Sequence, residues 1–288
     1  MTAPCQGPDP HTRQPRLEVP AGACDCHAHV FAPLSEAPMV AARAYTPPPA
    51  PLEAYRHMLS ILGIQRAVIV QPSVYGTDNR VTMAAVRAYG RDCRAVVVVD
   101  PGIAEAELKA LDAAGARGVR LNLQYAGGVG LDAAAALARR IAPLGWHLQL
   151  LLDARNLPDL LPAIRALPVE VVVDHMGHMN AAHGIGHPGF RALLEALAGG
   201  RCWVKLSGNY RITAAGAPYD DAIPFARALV AANPERCVWG TDWPHPALEA
   251  PMPNDADLLD ALAAQVPDEA ARARILVDNP ARLYRFDG

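Results

Sequence analysis

A short run near the N-terminus, Asp25-Cys26-His27-Ala28-His29, combines residue types that can bind a metal ion or polarise a carbonyl group. Side chains alternate between the two faces of a strand, which predicts that His27 and His29 point the same way, about 7 Å apart, with Asp25 in the same row. Imidazole nitrogens placed in this way can converge on a metal ion or on a substrate oxygen. The rest of the chain must then supply their partners.

The bulk composition limits the class of protein. The chain has 288 residues, of which 51% are hydrophobic and 19% charged, and its net charge is -3. These values predict a soluble protein with one large core and no nucleic-acid surface. The six cysteines include no C-x-x-C pair, so we interpret them as reduced thiols of a cytoplasmic protein. No segment resembles a signal peptide, and no apolar run approaches the roughly 20 residues of a membrane span.

The order of the predicted elements indicates a barrel. Short β-branched runs alternate with Ala/Leu-rich stretches of helical length, which is typical of βα units around a parallel sheet. Eight such runs predict an α/β fold, a single-domain (β/α)8 TIM barrel over residues 21–288, preceded by a flexible N-terminal arm over residues 1–20. A doubly wound sheet is the alternative, but no G-x-G-x-x-G follows the first strand. The predicted strands are Ala23–Val30, Arg66–Gln71, Arg94–Asp100, Gly118–Leu123, Trp146–Leu152, Val169–His175, Cys202–Ser207 and Cys237–Thr241.

Catalytic side chains of such a barrel come from the C-terminal ends of the strands and the loops after them. This placement selects His27 and His29 after the first strand, His175 after the sixth and Asp242 after the eighth. A single histidine at a strand end is more often a hydrogen-bonded structural residue than a ligand, but four suitable residues at such positions favour one shared site. Three nitrogens and one carboxylate oxygen are enough to hold one tetrahedral zinc ion.

Two arginines are predicted at the same end of the barrel, Arg120 near the end of the fourth strand and Arg211 after the seventh. A planar guanidinium binds a carboxylate through two hydrogen bonds, so two of them facing one pocket would select an acidic substrate. The alternative for each is a surface salt bridge. Ser73 and Tyr75, in the turn-rich loop after the second strand, and His245 are further predicted substrate contacts.

The glycine-rich loop of residues 177–189 contains three more histidines, His178, His183 and His187. The loop offers no cysteine or carboxylate at ligand spacing. We therefore interpret it as a mobile rim rather than a second metal site.

Taken together, these segments resemble the amidohydrolase superfamily, and within it the lactonase branch that contains 2-pyrone-4,6-dicarboxylate hydrolase. The similarity extends from about residue 19 to residue 286, nearly the whole chain. The stretch from Gln71 to Asn79 supports the branch. The segments that carry the superfamily resemblance are Asp25-x-His27-x-His29, Asp174-His175, Val204-Lys205-Leu206-Ser207-Gly208 and Gly240-Thr241-Asp242-Trp243-Pro244-His245.

The resemblance implies a barrel hydrolase of aromatic catabolism. It implies that the aspartate matching Asp242 activates water, that the three histidines polarise a lactone carbonyl, and that the two arginines grip the substrate carboxylates. It also implies that the dicarboxylate hydrolase works without a metal, whereas related muconolactone hydrolases hold zinc.

The sequence departs from the binuclear pattern of the superfamily. No lysine lies at the end of the fourth or fifth predicted strand to serve as a carbamylated bridge, and Lys205 lies within the seventh. We therefore expect no obligatory cofactor and at most one divalent metal, with zinc as the candidate, held by His27, His29, His175 and Asp242. Without a metal, the imidazoles would donate hydrogen bonds to the oxyanion.

The leading hypothesis is a hydrolase that opens the ring ester of a small carboxylated lactone: 2-pyrone-4,6-dicarboxylate, a muconolactone or a sugar-acid lactone. Two alternatives stay open. One is a zinc-dependent decarboxylase of an aromatic or muconate-type acid in the same superfamily, and the other is a non-catalytic barrel that binds a carboxylated ligand. The sequence leaves the individual lactone and the oligomeric state undecided.

Overall fold

The chain forms one ring of parallel strands. The structure, a computed structural model, describes residues 4–124 and 133–286. Its eight strands follow one another around a single sheet in sequence order, and a bridge between Ala28 and Trp243 joins the first strand to the segment after the last. The predicted single-domain (β/α)8 barrel is confirmed. The strands are β1 (Cys24–Ala28), β2 (Arg66–Val70), β3 (Cys93–Val97), β4 (Ala116–Asn122), β5 (His147–Leu151), β6 (Val171–Val173), β7 (Cys202–Leu206) and β8 (Cys237–Trp239).

Amphipathic helices cover the outside of this ring. In α1 (Leu52–Leu62) the buried residues recur every three or four positions, so one face packs on the barrel, and Gly63 ends the helix at a φ of 75°. The other described helices are α2 (Arg80–Tyr89), α3 (Glu105–Ala113), α4 (Ala134–Ile141), α5 (Leu157–Arg165), α6 (Pro188–Ala198), α7 (Asn209–Ile212), α8 (Ile223–Ala232), α9 (Asp255–Gln265), α10 (Glu269–Ala273) and α11 (Asn279–Tyr284).

A bulge in β1 changes which residues of that strand face the interior. Its pairing with β2 shifts register between Asp25 and Ala28. Cys24 and Cys26 belong to a cluster of buried side chains inside the barrel that also includes Val68 and Val96, whereas Asp25, between the two cysteines, points outward. After the bulge, His27 faces inward, because a bulge inserts one extra residue and re-aims the side chain. The expectation that Asp25 shares a row with His27 and His29 is therefore wrong.

The outward-facing Asp25 joins β1 to the segment that follows β8. Its carboxylate accepts hydrogen bonds from the backbone N–H of His27 (3.0 Å) and of Thr241 (2.9 Å), from Thr241 Oγ1 (2.5 Å) and from the hydroxyl of Tyr55 on α1 (2.9 Å). Burial raises the pKa of Asp25 to about 6, although these donors favour the ionised form. The Asp25 side chain thus links β1 to the segment after β8, where the barrel closes.

The N-terminal arm lies along α9. Arg16 Nε donates to Asp260 Oδ2 at 2.9 Å, and Asn254 Nδ2 donates to Asp9 Oδ2 at 2.8 Å. These contacts anchor the arm to the helix, and its flexibility stays a prediction. Within the described parts of the chain, no helix is long and apolar enough to cross a bilayer.

Replacing Asp25 with alanine should weaken the closed barrel. The change leaves four buried donors without their acceptor, and we expect a loss of about 3 kcal/mol in the free energy of unfolding. Urea denaturation would measure it. Asp92→Ala is the matched control, because its side chain is 54% exposed and should change stability by less than about 0.5 kcal/mol. Equal stabilities of the two variants would contradict the role of Asp25.

Candidate active site

The four side chains selected from the sequence come from three segments, at the C-terminal ends of β1, β6 and β8. His27 lies in β1, and His29 follows that strand by one position. His175 begins a short turn after β6 with a φ of 50°, and Asp242 follows β8 with a φ of 64°. Left-handed backbone at residues other than glycine costs about 1–3 kcal/mol and concentrates at functional sites. Six of the eight such residues in the described chain lie in the loops after β6 and β8.

These four side chains converge, as the sequence predicts. His27 Nε2 lies 3.3 Å from His29 Nε2 and 3.6 Å from Asp242 Oδ1. His29 Nε2 lies 3.7 Å from the same oxygen, and His175 Nε2 lies 3.8 Å from Asp242 Oδ2. All four side chains are buried. Their catalytic roles stay predictions.

The second nitrogen of each imidazole has a protein neighbour. His29 Nδ1 lies 2.7 Å from the carbonyl oxygen of Val70, so it must carry the proton and donate it. Burial holds the pKa of His29 well below its usual value, which leaves the ring neutral and its Nε2 with a bare lone pair. His175 Nδ1 lies 2.9 Å from Ser207 Oγ, and His27 Nδ1 lies 3.2 Å from Lys205 Nζ.

This donor set suits one divalent metal ion. A tetrahedral zinc with bonds of about 2.0–2.1 Å separates its ligand atoms by about 3.3–3.4 Å, close to the spacings around His27 Nε2. Ligand atoms of His27, His175 and Asp242 all lie within 4.8 Å of one another. Among residues 4–124 and 133–286, no hydrogen-bond donor reaches Asp242 Oδ1. The bare Nε2 of His29 can bind a metal but cannot donate to an oxyanion.

The other oxygen of Asp242 is held firmly. Tyr210 donates its hydroxyl to Oδ2 at 2.6 Å, and Arg211 Nε donates to the same atom at 2.5 Å. Burial would raise the pKa of Asp242, but the Arg211 guanidinium and the neighbouring histidines together hold this pKa well below the usual value. The carboxylate is therefore ionised at neutral pH.

A buried polar network lies beneath the histidines. Lys205 Nζ, inside β7, donates to Gln149 Oε1 at 2.7 Å and to the carbonyl oxygen of Cys26 at 2.9 Å, and it lies 3.5 Å from Asp174 Oδ1. Burial lowers the pKa of Lys205. Its position within the seventh strand is as the sequence indicates, and its amine is engaged in this network.

Asp174 joins this network to the arginine of the pocket. Its carboxylate accepts from Gln149 Nε2 at 3.1 Å and from Arg120 Nη2 at 3.4 Å, and His27 Nδ1 lies 3.3 Å away. Sequence reasoning gave Gln149 and Lys205 no role in the site. Side chains alternate between the two faces of a strand, and this alternation could have predicted that both residues point into the barrel.

A small pocket opens above His29, His175 and Asp242. Ser73, Arg120 and Arg211 line it, in line with their predicted position at the mouth, and Tyr45, Asn122 and His178 line it as well.

Tyr75 and His245, which were predicted to contact the substrate, do not line this pocket. The Tyr75 hydroxyl accepts from the backbone N–H of Ala32 at 3.1 Å and braces the loop after β1. His245 is fully buried, with Nδ1 2.9 Å from the Tyr210 hydroxyl. The structure places both behind residues that face the pocket, and their contact with a substrate stays a prediction.

Sequence reasoning missed Tyr45 and Asn122 as pocket residues and assigned His178 another role. Tyr45 lies in the proline-rich stretch before α1, its hydroxyl bonds Ser73, and burial raises its pKa to about 12. His178 belongs to the loop interpreted as a rim, but its ring lies 6.0 Å from that of His175, and burial lowers its pKa to about 4. The rings of His183 and His187 lie 5.4 Å apart, tilted by 59°, farther along the loop.

Comparison with known proteins agrees with this geometry. A family model described as Amidohydrolase matches residues 24–286. The chain belongs to the amidohydrolase family.

Named relatives place this amidohydrolase among lactone hydrolases. It is 39% identical to 4-sulfomuconolactone hydrolase of Rhizobium radiobacter, over 98% of this chain and 96% of that protein. It is 38% identical to 2-pyrone-4,6-dicarboxylate hydrolase of Comamonas testosteroni, over 94% and 92% respectively. A solved protein of Acinetobacter baumannii with citric acid bound superposes with a TM-score of 0.81, at 28% identity over 92% of this chain and 99% of that one. The predicted superfamily and lactonase branch are confirmed.

Gly240 allows the closing segment to pass close to His27. A Cβ atom there would lie 2.8 Å from His27 N and 2.9 Å from His27 Cβ. We expect Gly240→Ala to displace that histidine and to cost about 1–3 kcal/mol in the free energy of unfolding, measured by urea denaturation. Gly186→Ala is the control, since nothing lies within 4 Å of its added methyl group. If both variants matched the wild type, the close approach would not be a constraint.

Proposed function

We propose that this protein hydrolyses the ring ester of a small carboxylated lactone. One observation carries the proposal: Asp242 Oδ1, without a hydrogen-bond donor in the described chain, faces the imidazoles at the floor of a pocket that Arg120 also lines. The names of the relatives support the reaction type. Citric acid in the related Acinetobacter structure supports a ligand with acid groups.

Arg120 is the residue we expect to bind an acid group of the substrate. Its side chain is 5% exposed, and its present hydrogen bonds, to Gln71 O and to Asp174, are long at 3.3 and 3.4 Å. Guanidinium groups bind carboxylates and sulfonates more tightly than they bind such distant partners. The hydroxyls of Ser73 and Tyr45 line the same pocket and can add hydrogen bonds.

Arg211 has a different place in the proposed reaction. Its Nε holds Asp242 Oδ2, and its Nη2 donates to the carbonyl oxygen of Pro246 at 3.1 Å. We infer that Arg211 serves the base as well as the substrate, because the same side chain lines the pocket.

Asp242 performs the proton transfers. It takes a proton from water, whose oxygen adds to the ester carbonyl carbon, and the ring C–O bond then breaks. Asp242 returns the proton to the departing ring oxygen, so that lactone and water become one hydroxy acid. A carboxylate of such low pKa is a weak base, so the water it deprotonates must be unusually acidic.

One divalent ion, with zinc as the candidate, matches that requirement. The Nε2 atoms of His27, His29 and His175 would hold it, since catalytic zinc sites use three protein ligands and keep one position open. A bound ion lowers the pKa of water to about 7 and polarises carbonyl groups.

The reaction is tested with a panel of small carboxylated and sulfonated lactones. We expect wild-type protein to open at least one of them, and Asp242→Asn to lower kcat by about 10²–10⁴-fold, because the amide cannot accept the proton. Asp78→Asn is the control, as that carboxylate is 39% exposed and pairs with Arg80. If no lactone is opened, or if Asp242→Asn keeps the full rate, the proposal fails. Release of carbon dioxide would point to a decarboxylase, and ligand-induced stabilisation without turnover to a binding protein.

Metal dependence is tested separately. We expect about one equivalent of zinc per chain, loss of hydrolysis after chelation and recovery when zinc is restored. His29→Ala should lower the bound metal by at least about 10-fold, whereas His57→Ala, on the exposed face of α1, should not. Full activity of thoroughly chelated protein would overturn this part of the proposal.

A further inference from the structure

Three buried residues form a line behind Asp242, on the side away from the pocket. The Tyr210 hydroxyl lies between Asp242 Oδ2 at 2.6 Å and His245 Nδ1 at 2.9 Å. His245 Nε2 in turn lies 3.2 Å from Asp255 Oδ1. The three residues are at most 6% exposed. The proposed reaction gives none of them a role.

The direction of the hydrogen bonds along this line follows from the number of protons. A tyrosine hydroxyl can donate once, and Asp242, ionised beside Arg211, can only accept. Tyr210 therefore donates to Asp242, and its oxygen accepts from His245. This requires that His245 Nδ1 carries a proton.

The far end of the line supports this arrangement. With the proton of His245 on Nδ1, its Nε2 and the Asp255 carboxylate would oppose each other as two acceptors unless a second proton lies between them. Asp255 is the first residue of α9, where the helix dipole stabilises a negative charge. A second proton between His245 and Asp255, in the ion pair that their 3.2 Å separation forms, meets both conditions.

We propose that His245 and Asp255 are positioning residues, which fix Tyr210 as a donor to Asp242 Oδ2 and thereby keep Oδ1 turned toward the imidazoles. Arg211 alone would hold one oxygen but would leave the carboxylate plane less constrained. With two donors on Oδ2, Oδ1 remains at the reacting centre. The catalytic consequence rests on the proposed lactone hydrolysis.

The first experiment removes the charge at the far end of the line. We expect Asp255→Asn to lower kcat for the lactone that wild-type protein opens by about 10–100-fold, with KM within about 3-fold, because misplacing a catalytic group by about 1 Å can lower the rate by about 10²-fold. Asp257→Asn is the matched control on the same helix, since its side chain is exposed and pairs with Arg13. An unchanged kcat, or a fall equal to that of the control, would overturn the proposal.

Substitutions nearer Asp242 separate positioning from packing. The amide of His245→Asn can still donate to Tyr210, whereas His245→Leu cannot, so the asparagine variant should retain more kcat than the leucine variant. If His245 and Asp255 act through the Tyr210 hydroxyl, Asp255→Asn should lower kcat little further in a protein that already carries Tyr210→Phe. Two results would contradict the positioning role. One is additive losses of kcat for Asp255→Asn and Tyr210→Phe, and the other is an equal loss of kcat in the two His245 variants at equal thermal stability.

Nitrogen NMR of histidine-labelled protein tests the line without any activity. The His245 signals are assigned by their loss in His245→Asn, and we expect Nδ1 to show the shift of a protonated nitrogen. An unprotonated Nδ1 would mean that Tyr210 donates to His245 rather than to Asp242, and would overturn the inference even if lactones are hydrolysed. Conversely, a protein that shows a protonated Nδ1 but opens no lactone would retain the hydrogen-bonded line while the proposed function fails.

Discussion

The bulge in β1 is the constraint on which the site depends. Before it, Asp25 points out of the barrel and accepts four hydrogen bonds at the seam between β1 and the segment after β8. After it, His27 points inward, and its own backbone N–H is one of the four donors. The same backbone irregularity therefore closes the barrel and aims the first histidine at the site. In a regular strand the two side chains would share one face and could not perform both tasks.

The buried charges inside the barrel are tolerated because each lies near a group of opposite charge. An isolated buried ammonium or carboxylate would cost several kcal/mol. Here Asp174 lies close to both Lys205 and Arg120, and Gln149 hydrogen-bonds Lys205 and Asp174. This arrangement also has a functional side. Asp174 contacts His27 and Arg120 at once, so it links the position of an imidazole to that of the guanidinium expected to bind the substrate.

Much of the site could be predicted because barrel topology brings all strand ends together. Once eight βα units are recognised, His27, His29, His175 and Asp242 must lie at one end of the ring, whatever the exact strand limits. Exact strand limits were less predictable: β6 spans only Val171–Val173, and His175 belongs to the left-handed turn after it. The bulge in β1 was invisible, because strict alternation is the default for a strand and no glycine marks the extra residue.

Loop residues were the hardest to predict, because no periodic pattern shows where their side chains lie. Tyr45 reaches the pocket from a proline-rich connector with no periodicity, and residues 209–212 form a short helix after β7 that places Tyr210 against Asp242. Asp255 lies ten residues beyond His245 in sequence, and only the start of α9 brings it back to that ring. Such contacts depend on where a loop returns, which spacing along the chain does not encode.

The charge around Asp242 explains why these supporting contacts matter. The Arg211 guanidinium and the neighbouring histidines together hold the pKa of this carboxylate low against the effect of burial, so the group is a reliable acceptor but a weak base. A weak base transfers a proton efficiently only when the water is acidic and the acceptor oxygen is already in place. The first condition agrees with the ligand atoms of His27, His175 and Asp242, which lie within 4.8 Å of one another. The second requires that Oδ1 be kept in position, which two donors on Oδ2, one of them held by His245, can achieve.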